Sequence, residues 1–257
     1  MPRLQVSSTA NPTIKRIVAL RDRRSVRYAE RLFVLEGPRF IWDAAHASPP
    51  QLLIGTADAL DQWDIDETQQ VVEVTDDLYR HITSTESPQG VLGIFAMPDL
   101  AVATDRTRLA VLADGVQDPI YLCTLMRSAV AFGATELICM KGTVDPFSPK
   151  VVRAAAGAHF HLPITSGQSV VLGDDLGKIV IADGAARTSP GQFDWRQPVS
   201  LVIGGEARGV SSEILDRPHS AVAIPMANAV ESLNAGVAAS ILLYEADRQR
   251  REKPSRR

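Results

Sequence analysis

Apolar positions along the chain fall into short blocks separated by polar, proline or glycine punctuation. Blocks at 32–35, 52–54, 71–74 and 91–95 predict four strands within the first hundred residues. Ahead of them, Asn11 offers an N-cap and Pro12 the first helical position, and Ile14, Ile17 and Val18 then mark the apolar stripe of a helix. From residue 109 the pattern becomes more regular, with strand-like runs at 109–112, 137–140, 179–182, 201–203 and 221–224 and helix-length stretches between several of them. Such alternation predicts an α/β fold with a largely parallel sheet covered by helices on both faces, where ligands sit at the carboxyl ends of the strands. A last helix is expected from near Ser232 to Arg250, burying Leu233, Val237, Ala238, Ile241 and Leu242, with Ser232 as its N-cap and a frayed tail from Arg248. The stretch 98–108 reads as a linker, which sets the domains at 1–97 and 109–257.

Composition adds little to this picture, and charge adds more. With 257 residues, 45% apolar and 22% charged, the chain is expected to be globular rather than disordered. No apolar run is long enough to span a bilayer and the amino terminus lacks a signal-peptide core, so a cytoplasmic protein is expected. Cys123 and Cys139 can build neither a disulfide framework nor a zinc site, and no metal is called for. The net charge of −3 would oppose a polyanionic partner if it were evenly spread. It is not: residues 1–40 carry nine Lys/Arg against three acids, residues 41–100 one against eleven, and the rest is nearly neutral. The basic front end predicts an RNA face at Lys15, Arg16, Arg23, Arg24, Arg27 and Arg31, with a solvated helix face as the competing explanation.

Three segments at predicted strand ends carry unusual chemistry. Asp114 to Pro119 leads into a helix that holds Arg127 and ends at Phe132-Gly133-Ala134. Gly204-Gly205-Glu206, closed by Gly209, follows a strand; its spacing is neither that of a dinucleotide fold nor that of a P-loop, and a tight turn alone does not explain a carboxylate between the glycines. Ile224-Pro225-Met226 then precedes Ser232-Leu233-Asn234, whose amide can point at whatever lies above the strand ends.

In this order and spacing, the three segments resemble the motifs of the SpoU/TrmH family of RNA ribose 2′-O-methyltransferases, within the SPOUT superfamily. The stretch from Asp145 to Ala158 is similar to the family's intervening segment, and Asn11-Pro12, Phe33 to Gly37 and Ser87 to Gly90 are similar to its substrate-binding domain. The resemblance implies a C-terminal domain with a deep trefoil knot and a small N-terminal α/β RNA-binding domain like those of ribosomal L30e-type proteins. It implies S-adenosylmethionine as cofactor, held at Ala182, Asp183, Gly184, Gly204, Gly205, Glu206, Gly209, Ile224, Met226, Leu233 and Asn234, and a homodimer with the active site near its interface. Arg127, Glu206, Ser232 and Asn234 become the expected catalytic set, and 23S rRNA the favoured substrate over tRNA. One departure stands out: Tyr121 occupies the position where the family usually has an asparagine, six residues before the arginine. A catalytically impaired RNA-binding homologue is therefore the competing expectation, with base methylation a third.

Overall fold

The computed structural model describes residues 3–62, 69–105, 107–167, 172–173, 176–206, 208–227 and 233–252. Contacts divide the chain into two units, Met1–Pro98 with Phe147–Phe160, and Asp99–Pro146 with His161–Arg257. The sequence pattern draws one boundary, at 98–108; the contacts add a second crossing, by the segment 147–160.

The first unit holds β1 (Leu4–Val6), α1 (Pro12–Asp22), α2 (Arg24–Glu30), β2 (Leu32–Glu36), α3 (Pro38–Ala47), β3 (Leu52–Gly55), α4 (Ala57–Leu60), β4 (Val71–Val74), α5 (Asp76–Ile82) and β5 (Val91–Ala96). Its sheet runs β1-β4-β3-β5-β2; β1, β4 and β3 are parallel, while β5 is antiparallel to both its neighbours. Helix α1 begins as the sequence predicts, with Asn11 Oδ1 accepting from Thr13 N at 2.8 Å, and Ile14, Ile17 and Leu20 enter the core beside Val34, Ile54 and Leu92. Strand β1 is absent from the sequence reading. It is three residues long with Leu4 exposed, so no alternating pattern announces it.

Arg27 departs from its expected place on an RNA face. It is only 4% exposed, and its Nη1 donates to the carbonyls of Leu20 at 2.7 Å and Arg21 at 2.9 Å. It thus closes the carbonyl end of α1, where a cation also meets the negative pole of the helix. Of the other basic residues, Lys15, Arg16, Arg23, Arg24 and Arg31 are exposed; Arg16 pairs with Glu30 at 2.6 Å, and Arg24 lies 5.2 Å from the ring centre of Tyr28. A groove of about 590 Å³ runs between Lys15, Arg16 and Arg23.

The second unit holds β6 (Leu109–Asp114), α6 (Pro119–Ala131), β7 (Glu136–Cys139), β8 (Ile164–Ser166), β9 (Lys178–Ala182), β10 (Val199–Gly204), α8 (Ser212–Leu215), β11 (His219–Val222) and α9 (Ala235–Arg251). Between β7 and β8 in sequence lies α7 (Pro149–Ala154), which belongs to the first unit. The sheet order is β11-β9-β10-β6-β7-β8, and every pairing is parallel, as the alternation predicts. Strand β8, a three-residue edge, escapes the sequence pattern for the same reason as β1. Helix α6 ends in a Schellman arrangement, with Ala134 N on Ala129 O and Gly133 at φ +68° supplying the left-handed residue. Aromatic contacts explain the second crossing: Phe147, His159 and Phe160 place their rings 5.4, 5.6 and 5.9 Å from that of Phe33.

The last helix differs from its prediction in three ways. It starts at Ala235, its outward face carries Val237 and Ile241, and it remains helical to Arg251. The expected fraying is prevented by tertiary contacts: Arg250 donates to the carbonyls of Trp195, Arg108 and Gln197, and the buried Gln249 amide donates to Phe193 O. Residues 253–257 lie outside the described set. Among the described residues, no helix is long and apolar enough to cross a membrane.

Candidate active site

Because β9, β10, β6 and β11 run parallel, their carboxyl ends share one edge of the sheet. There a cleft of about 620 Å³ opens between the loops after β9, β10 and β11 and the first turns of α9. That volume lies in the range of about 300–1,000 Å³ usual for small-ligand sites. Ile203, Ile224, Met226, Leu233 and Leu242 give it apolar walls, and Asp183, Arg187 and Ser189 give it polar ones.

The loop after β10 is clamped to β6. Gly205 N donates to Asp114 O at 2.8 Å, Ser211 N donates to Asp114 Oδ2 at 2.7 Å, and Gly205 and Gly209 form a bridge within the loop. A Cβ on Gly204 would come within 3.0 Å of the Gly209 backbone, and one on Gly205 within 3.0 Å of the Gly115 backbone. Both glycines are therefore required by close backbone approach. Asp114, buried at the end of β6, holds both ends of the loop, a role that no sequence motif announces.

Helices α6 and α9 pack along a register of four residues. Gly236 faces Thr124, Ser240 Oγ lies 2.6 Å from Ser128 Oγ, and Tyr244 meets Phe132 edge-on at 5.7 Å. Both numbers rise together, so the two helices run parallel with their i±4 ridges in contact. Glycine at 236 and serines at 128 and 240 permit the approach. Helix α9 consequently presents different faces: Ala235, Ala238 and Leu242 to the cleft, Gly236 and Ser240 to α6, and Val237, Ile241 and Tyr244 to solvent.

Of the residues expected to hold a cofactor, Ala182, Asp183, Gly184, Gly204, Ile224, Met226 and Leu233 line the cleft. Gly205, Glu206, Gly209 and Asn234 are not among the lining residues. Ser232 lies outside the described residues. Asn234, expected to aim its amide above the strand ends, is itself the cap of α9: its Oδ1 accepts from Gly236 N at 2.9 Å and Val237 N at 3.3 Å. Asn234→Ala is therefore expected to lower stability by about 1 kcal/mol, measured by denaturant unfolding. Glu206 is exposed, and Arg127 is exposed on α6 outside the cleft of its own chain.

Sequence reasoning missed Arg187, the one cation among the cleft's described lining residues. Its signal was an arginine five residues beyond the end of a core strand, in a loop already suspected. Burial pushes the Cys123 thiol up to about 11 against the opposing pull of the Arg127 charge, so Cys123 stays a neutral thiol and no nucleophile. Among the described residues, no three His, Cys, Asp or Glu side chains group as a metal site would require.

Residues 108–244 match the SpoU rRNA Methylase family, and residues 11–93 match the MRM3-like substrate binding domain. The 23S rRNA (guanosine(2553)-2′-O)-methyltransferase RlmP of Bacillus subtilis is 29% identical, over 93% of this chain and 98% of its own length. Among solved structures, the SpoU methyltransferase AviRb from Streptomyces viridochromogenes, in complex with AdoMet, is 28% identical with a TM-score of 0.79, covering 93% of this chain and 98% of that one. An AdoMet-bound rRNA methyltransferase from Sinorhizobium meliloti is 29% identical with a TM-score of 0.78, over 95% and 97% of the two chains.

Proposed function

The chain belongs to the SpoU rRNA Methylase family, and on that premise we propose that it is a methyltransferase acting from S-adenosylmethionine on a ribose 2′-hydroxyl of 23S rRNA. The observation that carries this reading is the cleft at the carboxyl ends of β9, β10 and β11, whose size and mixed walls suit a nucleoside bearing a charged amino-acid tail. Ile203, Ile224, Met226 and Leu233 would hold its flat base, backbone groups of the three loops would read the base edge, and Arg187 would oppose its carboxylate. Bound there, the cofactor supplies an electrophilic methyl group on a sulfonium. The chain's own part is to hold the ribose oxygen in line and to manage its proton.

Arg127 has the chemistry for that second task. A guanidinium keeps its proton in proteins and is a poor resident base, so Arg127 grips an RNA phosphate and stabilises the negative charge that develops on the 2′-oxygen as its proton passes to solvent water. Glu206 and Ser232 hold the motif loops around the nucleophile. Asn234 does so through the start of α9.

Arg127 stands outside its own chain's cleft, which supports a homodimer that brings a second copy's loops to it. The surface beside it fits: Ile120 is 62% exposed on α6, Tyr244 is 55% exposed on α9, and Val237 and Ile241 lie open along the same stripe. Such a stripe is unusual on an unpartnered helix. Ile241→Asp should shift the protein to monomer in light scattering and abolish transfer while leaving monomer folding intact. An unaltered oligomeric state would contradict this assignment. The trefoil knot belongs to the same reading, supported by a chain that ends β11 at the sheet edge and returns to pack α9 on α6. An L30e-type first domain and a cytoplasmic location complete it.

The test of substrate is incorporation of labelled methyl from S-adenosylmethionine into 23S rRNA and into tRNA by the full chain. Incorporation into 23S rRNA is expected. The rival, an RNA-binding homologue impaired by Tyr121, predicts binding without incorporation into either.

A further inference from the structure

We propose that a second groove of the first unit, walled by α7, the loop 83–87 and the end of α1, is a binding site for the phosphates of the RNA backbone. The proposal rests on the reading of RNA as substrate and assigns roles to Lys150 and Arg153, which that reading leaves unused. The groove encloses about 720 Å³. Lys150 and Arg153 stand three residues apart on α7, so both reach the same side of the helix. Among the described residues neither forms an ion pair with an acid. Arg153 Nη1 donates instead to Ser84 Oγ at 3.3 Å.

The opposite wall is a row of hydroxyls, including Ser84 and Ser87, faced by Ser148. The start of the loop is held in place at Thr83 and Ser84. The buried Glu36 carboxylate accepts from Thr83 Oγ1 at 2.8 Å and Ser84 N at 2.7 Å, while Arg21 donates to the carbonyls of His81 and Thr83 at 2.7 and 3.1 Å. Two acids also line the groove. Asp22 is neutralised by Arg21 at 2.7 Å, and Glu86 is exposed on the loop. Cations interleaved with neutral hydroxyl donors are the usual means of gripping phosphate oxygens without reading sequence. A protein partner's carboxylates would not need the row of hydroxyls.

Asp22 also borders the groove of Lys15, Arg16 and Arg23, so the two grooves adjoin at the end of α1. The bound strand would thus pass from the basic front end onto a segment, 147–160, that lies within the residues matching the methylase family. Substrate docking and the family's catalytic sequence would in this way meet inside one unit.

The experiment measures the Kd of the full-length protein for a 23S rRNA transcript as KCl is raised from about 50 to 250 mM. Lys150→Ala/Arg153→Ala should weaken binding several-fold at the lowest salt and flatten the log–log slope by about 1.5. Ser84→Ala/Ser87→Ala should weaken binding at every salt with the slope unchanged. Lys150→Arg/Arg153→Lys should keep the parent slope. Arg196→Ala/Arg251→Ala, which removes equal charge elsewhere, should leave both quantities at parent values. An unchanged slope in the Lys150/Arg153 variant, in a protein that binds and methylates the transcript, would overturn this site alone; so would an equal loss in the Arg196/Arg251 control. A parent protein that fails to bind the transcript would overturn the site and the RNA reading together.

Discussion

Arg127→Lys is expected to lower kcat by about 100-fold or more while leaving the affinity for S-adenosylmethionine and the melting temperature unchanged. The separation of effects follows from position. Arg127 is exposed on α6 and absent from the cleft lining, so neither the cofactor nor the fold depends on it. Lysine keeps the charge but loses the planar fork that can grip a phosphate with two hydrogens while a third meets the developing alkoxide. A merely electrostatic role would be largely preserved by lysine, so near-normal turnover would contradict the assignment. Steady-state kinetics on rRNA, with calorimetric cofactor titration alongside, reads both halves.

Gly205→Ala is expected to reverse that pattern: cofactor affinity should fall at least tenfold, and stability by about 1–3 kcal/mol, as overpacking of a tight backbone contact costs. A methyl at 205 meets the Gly115 backbone, and the neighbouring strand end cannot yield, because Thr143 Oγ1 fixes both sides of it, accepting from Gly115 N at 3.1 Å and donating to Ala113 O at 2.7 Å. The loop must then lift from Asp114, and Gly204 moves with it out of the cleft wall. Gly191→Ala provides the control, since the nearest atom to a Cβ there is Glu245 Oε1 at 3.9 Å. If both substitutions left cofactor titration and thermal unfolding unaltered, the loop clamp would not be what shapes the cleft.

What the sequence could reveal was governed by how local each signal is. The parallel strands of the second unit are long enough and apolar enough to stand out, and parallel pairing then forces their carboxyl ends to one edge. Seven of the eleven residues that the family resemblance, not the strand pattern, assigns to the cofactor line the cleft at that edge. Short edges such as Leu4–Val6 and Ile164–Ser166 gave no such signal. Arg27 looked like a surface cation because its partners, two carbonyls at the end of α1, become its neighbours only when α2 folds back. Val237 and Ile241 fit a helical apolar stripe, but the buried face of α9 was set by the small residues Gly236 and Ser240 against α6, which apolar periodicity does not weigh. The sequence pattern presents Asn234 as a functional amide and Ser232 as the cap. The cap position went to the asparagine, whose side chain answers the free amides of Gly236 and Val237. Phe33 and the 147–160 segment are more than a hundred residues apart, beyond the reach of any pattern along the chain.

Net charge misled in a similar way, as a sum over parts with different tasks. The grooves along α1 and α7 concentrate cations on a chain that is acidic overall. Affinity for RNA should therefore fall with salt even though the whole protein carries −3.

The most direct test of the central claim is the chemical identity of the methylated nucleotide. After incubation of 23S rRNA with the full chain and S-adenosylmethionine, nuclease digestion followed by mass spectrometry should yield a resistant dinucleotide carrying the added methyl on its ribose, formed about 100-fold more slowly with Arg127→Lys. Methyl label recovered on a free base, or no label at all from a protein that binds the RNA, would contradict the account.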